Sequence, residues 1–144
     1  MGFQASFIKP ECVKKGITEE EAINMSTAKS MADKRHVQDV IRKLDGVQVI
    51  EDLTHLVWYL PKDQGIAHIF ILGVKDVCET VYCDFSCPGS DIIRFYDLLY
   101  NAFGVNIMVN QEEKFFPPKA FEAYVREKAL DGRKIESKYR PLRF

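Results

Sequence analysis

The sequence predicts an α+β fold: a single domain with a mainly antiparallel sheet of about five to six strands, packed by two to three helices. Three features carry that reading. Strand-like runs follow one another from Val47 to Phe85, joined by connections too short for parallel crossovers. An amphipathic helix follows directly, with Ile92, Phe95, Tyr96, Leu99 and Phe103 on one face and Arg94, Asp97 and Asn101 opposite. The element order β-α-β-β-β-β-α-β-α then places the helices over an antiparallel sheet.

In chain order, Gly2 to Ile8 alternates Phe3, Ala5 and Phe7 against Gln4 and Ser6, the pattern of a half-buried strand that Pro10 ends. Thr18 and Glu21 form a capping box, opening a helix with acidic residues where the dipole favours them. The helical pattern thins over Met25 to Ser30 and recovers from Ala32 to Leu44, with Val37, Val40, Ile41 and Leu44 on one face. Gly46 closes it. One long helix or two joined near Ser26 to Ser30 both satisfy this stretch.

Val47–Asp52 and His55–Leu60 read as strands, Pro61–Gly65 as a turn, and Ile66–Val74 as a central strand apolar on both parities. Val77–Phe85 returns with Val81, Cys83 and Phe85 on one face and Thr80, Tyr82 and Asp84 on the other. Ser90 and Gly104 bound the next helix, whose apolar side is expected to cover the Val81, Cys83 and Phe85 face. Val105–Val109 adds a strand, and Pro117-Pro118 opens a last helix over Lys119–Leu130. Residues 133–144 form a basic C-terminal tail within the single unit 1–144.

The chain has 144 residues, 47% hydrophobic and 28% charged, which suits a globular domain with a full core. A net charge of -1 argues against a general nucleic-acid surface, and no apolar run reaches the ~20 residues of a membrane helix. Charge is uneven: residues 53–110 hold 3 basic and 6 acidic groups, residues 111–144 hold 9 and 6. The start lacks a signal-peptide pattern, so a cytoplasmic protein with reduced thiols is expected.

Chemistry-bearing motifs are sparse. No phosphate loop, dinucleotide fingerprint or nucleophile elbow occurs, so no cofactor is expected. Cys12, Cys78, Cys83 and Cys87 lack the paired spacing of zinc sites, and no metal site is expected. Glu51, Asp52 and His55 sit close together but read as a polar turn. An enzyme using His55, His68 or Cys83 is the alternative, because His68 lies on the strand expected beside Cys83 and a thiol nucleophile needs a nearby base.

The stronger signal is a face. Trp58 and Tyr59 are consecutive on a strand, so one of them points away from the core. Tyr82 adds a second outward aromatic near the acidic residues Asp63, Asp76, Glu79 and Asp84. Aromatic and acidic groups together suit a protein-binding surface formed by Trp58, Asp63, Asp76, Glu79, Tyr82 and Asp84. A helix laid over this sheet face would remove it, and the first helix is the candidate.

One α+β domain of this length, without a cofactor motif and with acids and aromatics from Trp58 to Asp84, resembles in general type the immunity proteins of bacterial toxin systems. The resemblance implies a non-catalytic, stoichiometric inhibitor that binds a cognate toxin, over the toxin's active site in one version. The partner is then a protein, with neither membrane nor nucleic acid required.

Overall fold

Alternation along each strand decides which side chains meet the helices. The computed structural model describes residues 3–9, 31–110, 112 and 114–128. Within these, β1 (Phe3–Ile8), β2 (Ala32–Asp33), α1 (Lys34–Ile41), β3 (Val47–Glu51), β4 (His55–Tyr59) and β5 (Ile66–Leu72) come first. They are followed by β6 (Val77–Cys78), β7 (Thr80–Ser86), α2 (Gly89–Phe103), β8 (Asn106–Val109), β9 (Lys114–Phe116) and α3 (Pro118–Glu127). The α+β class is as expected. Among the described residues the main sheet has seven strands, in the order β3-β4-β5-β7-β1-β8-β9, and β2 pairs separately with β6.

Every pairing in the main sheet is antiparallel. The run β3-β4-β5-β7 is a meander, and β1 inserts between β7 and β8 by pairings far apart in sequence. Phe3, Ala5 and Phe7 of β1 stand opposite Phe85, Cys83 and Val81 of β7. That face joins Leu56, Trp58, Ala67, Ile69, Ile71, Ile107 and Val109 in one core with residues of all three helices. Phe7 lies 5.3 Å from Phe95 and 5.6 Å from Tyr96, and Phe85 lies 5.4 Å from Phe95. These tilted and edge-on ring contacts centre the core between β1, β7 and α2.

The helix α2 behaves as its spacing predicts, burying Ile92, Phe95, Tyr96, Leu99 and Phe103 and ending at Gly104 in the left-handed region. It starts at Gly89, with Pro88 at the cap position and no side-chain cap bond, so Ser90 lies inside the helix. The strand expected over Val77–Phe85 breaks at Glu79. Its first two residues leave to pair with β2, and Glu79 N–H donates to the Leu72 carbonyl at 2.8 Å.

Helix α3 packs Phe121 against Tyr96 at 5.8 Å and Phe3 at 6.2 Å. The apolar stripe of α1, Val37, Val40 and Ile41, joins the same core. All three described helices therefore sit on one side of the sheet. The capping box at Thr18 and Glu21, the junction at Ser26 to Ser30, Cys12 and the basic tail from Arg133 lie outside the described residues.

Candidate functional site

The face away from the three described helices collects the even-numbered residues of β5, β7, β1 and β8 with the odd-numbered residues of β4. Over β1 and β8 it is closed, since Ser6, Ile8, Thr80 and Met108 are fully buried. Over β4 and β5 it opens, and His68, Tyr59 and Leu72 are exposed while His55, Phe70, Tyr82 and Asp84 are half-buried.

Register sorts these residues into two rows. Gln48, Val57, His68, Asp84 and Gln4 stand side by side across β3, β4, β5, β7 and β1. Beside them run Glu51, His55, Phe70, Tyr82 and Ser6. The second row is mainly aromatic: the His55 ring stacks on Phe70 at 4.5 Å with planes 13° apart, and Phe70 lies 6.2 Å from Tyr82. The first row is polar. His55 Nε2 and His68 Nδ1 approach to 3.3 Å, linking the rows.

Asp84 Oδ1 is out of contact with solvent and has no hydrogen-bond partner, and Asn110 Oδ1 is in the same condition. Asn110 N–H donates to the Gln4 carbonyl at 3.1 Å, which puts Asn110 at the far end of the polar row. Among the described residues, no lysine or arginine occupies a strand position on this face, whereas Glu51 and Asp84 do.

Of the residues expected to bind a partner, Tyr82 and Asp84 lie on this face. Trp58 does not: it is 1% exposed, stacked 5.9 Å from Phe95 in the core, and its indole N–H reaches the Asp45 carbonyl. Burial of the larger ring, with its single donor satisfied, leaves Tyr59 as the outward residue at 46% exposure. Glu79 is also buried, at the break between β6 and β7. Asp63 is exposed in the 3-10 turn Pro61–Asp63. Asp76 lines an open cleft of about 300 Å³ with Asp33, Arg35 and Leu53.

The cysteine chemistry considered for His68 and Cys83 lacks its geometry. Register sets His68 opposite Asp84 and Ile69 opposite Cys83, so the thiol points into the helix-covered core and the imidazole points out. Burial raises all three described thiols: Cys78 to about 12, and Cys83 and Cys87 well above their ordinary range. Among the described residues, no three histidine, cysteine, aspartate or glutamate side chains converge on a metal position. None of the described helices is long and apolar enough to cross a membrane. Comparison with family models, curated proteins and solved structures finds no match for this chain.

The pairing of His55 with His68 was not anticipated, although the signal for it is present. Pairing outward from the Pro61–Gly65 turn sets Tyr59 opposite Ile66 and Val57 opposite His68. That register makes the two histidines diagonal neighbours on one face.

Proposed function

We propose that this chain is a protein-binding module that acts by occluding its partner through the open β4–β5 half of the sheet face away from the described helices. The observation that carries it is Asp84: a carboxylate oxygen withdrawn from water without a donor, beside the aromatic row of Phe70 and Tyr82. Leaving such an acceptor unsatisfied costs about 1–3 kcal/mol, and a partner's cationic donor that draws the half-buried carboxylate outward relieves that cost. The aromatic row supplies apolar contact around it, the arrangement of a binding hot spot. With acids but no strand lysine or arginine among the described residues of the face, the fitting partner is a protein that inserts an arginine or lysine ringed by apolar side chains.

Within this class, the preferred form is an immunity protein that neutralises a cognate bacterial toxin by stoichiometric binding. Asp63 and Asp76 then lie on peripheral turns, where they steer a cationic partner rather than anchor it.

The test starts with affinity capture from the native host, using the full chain as bait, followed by binding measurements with the purified partner. Phe70→Ala and Asp84→Asn are each expected to weaken binding about tenfold or more, while Tyr100→Ala on α2 leaves it unchanged. Failure to recover a stoichiometric partner, or a partner indifferent to both substitutions, overturns the binding-face reading. A partner that binds as expected but harms no cell when expressed alone removes only the immunity role.

A further inference from the structure

We infer that His55 and His68 form a two-histidine chelate for a divalent transition-metal ion, zinc in the first instance, on the open sheet face. This inference shares its face and Asp84 with the protein-binding reading but requires no protein partner. Two nitrogens held at 2.0–2.1 Å by one tetrahedral zinc ion lie about 3.3 Å apart. The separation of His55 Nε2 and His68 Nδ1 is 3.3 Å. The ion takes the place of the shared proton, sitting to one side of the line between the nitrogens after a small turn of each ring.

Three further features favour a metal over a simple ring contact. The His55 ring is fixed by its stack on Phe70, so one ligand is oriented before any ion arrives. Asp84 is the cross-strand partner of His68, and its unpartnered Oδ1 brings the negative charge that a divalent cation requires nearby. Among the described residues, no strand lysine or arginine lies on this face to repel the ion.

Imidazole donors suit zinc, copper and nickel, whereas magnesium and calcium require oxygen cages that this face lacks. With two protein nitrogens, the remaining positions belong to water. The site is therefore open and exchangeable, unlike a closed structural centre.

Calorimetric titration of zinc chloride into chelator-treated, desalted full chain provides the test. One saturable equivalent is expected. His68→Ala and His55→Phe, the latter keeping the stack on Phe70, should each lower the affinity at least tenfold, and Asp84→Asn should lower it several-fold. His36→Ala, on α1, should leave it unchanged. Long-range proton–nitrogen NMR spectra should show zinc on Nε2 of His55 and Nδ1 of His68. Absence of a saturable equivalent overturns the inference, as does binding that persists when both histidines are replaced, or zinc carried on the other ring nitrogens. Circular dichroism of each variant separates ligand loss from a folding defect.

Discussion

The indole N–H of Trp58 donates to the main-chain carbonyl of Asp45 across 3.0 Å, tying the inner face of β4 to the loop that precedes β3. The same ring stacks on Phe95 of α2, and the Arg94 guanidinium lies 5.3 Å above it. One side chain thus joins sheet, helix and loop. Trp58→Ala is expected to cost about 3–5 kcal/mol by opening a cavity, and Trp58→Phe about 1–3 kcal/mol through lost volume and an orphaned carbonyl. Urea unfolding followed by circular dichroism checks both, since Trp58 is the only tryptophan and its fluorescence is lost with it.

The buried thiols give a second expectation. Cys78, Cys83 and Cys87 should resist alkylation in the native protein and react only on unfolding, because the reactive thiolate is disfavoured at all three positions. Folded-state values above the ordinary thiol value also mean that the native state keeps protons the unfolded chain releases. Stability is therefore full below the ordinary thiol value and falls as pH rises towards the folded values. Mass spectrometry after a timed native alkylation reads the first effect, and rapid labelling at any of the three sites contradicts it.

Two glycines separate steric need from conformational preference. At Gly65, with φ of 142°, an added Cβ meets the Ser86 carbonyl oxygen, whereas at Gly104, with φ of 69°, it meets open space. Gly104→Ala should therefore cost about 1 kcal/mol, the left-handed backbone penalty alone. Gly65→Ala should cost more than about 2 kcal/mol, because either the hairpin or β7 must shift. Denaturant midpoints from Trp58 fluorescence compare the two, and equal losses contradict the steric account.

Local pattern revealed the elements, and only long-range pairing revealed the site. The parity of Val81, Cys83 and Phe85 and the spacing of Ile92 to Phe103 identify the core face, because burial acts on every residue of a regular element. The choice between Trp58 and Tyr59 is different, since consecutive aromatics on a strand suit either orientation until the register with Ala67 is known. The central position of β1 and its pairing with β8 leave no local trace. Lys114–Phe116 is too short to announce itself as a strand, and it pairs because Phe116 packs against Phe121 and Tyr124. Asp84 and Tyr82 were legible as outward residues; the unpartnered oxygen of Asp84 depends on its neighbours and was not.

Helix α2 also carries a surface charge whose effect runs against intuition. Partial burial, with Glu122 of α3 nearby, raises the Asp97 carboxyl above its ordinary value. A raised folded value means the ionised form is disfavoured in the native protein, so this group's contribution to stability falls as pH rises through the carboxylate range. Asp97→Asn is expected to raise stability at pH 7 by no more than about 0.5 kcal/mol, as suits an exposed position, and to change nothing at pH 3. Thermal melts at the two pH values check it, and a destabilising substitution at pH 7 contradicts it.

Tyr96 adds a second alkaline dependence. Its hydroxyl donates to the Phe116 carbonyl at 2.6 Å, fastening α2 to β9, and burial pushes its ionisation well above the ordinary tyrosine value of about 10. The native state holds this proton after an unfolded chain has lost it, so the contribution is complete below pH of about 10 and is lost progressively above it. Tyr96→Phe keeps the ring packing against Phe7 and Phe121 while removing the bond. It should cost about 1 kcal/mol at neutral pH and flatten the decline in stability above the tyrosine range. Any decline that sets in at lower pH belongs to the buried thiols and should survive the substitution. Urea midpoints measured from neutral pH to pH 11 separate the two, and an unchanged slope above pH of about 10 rules out Tyr96 as its source.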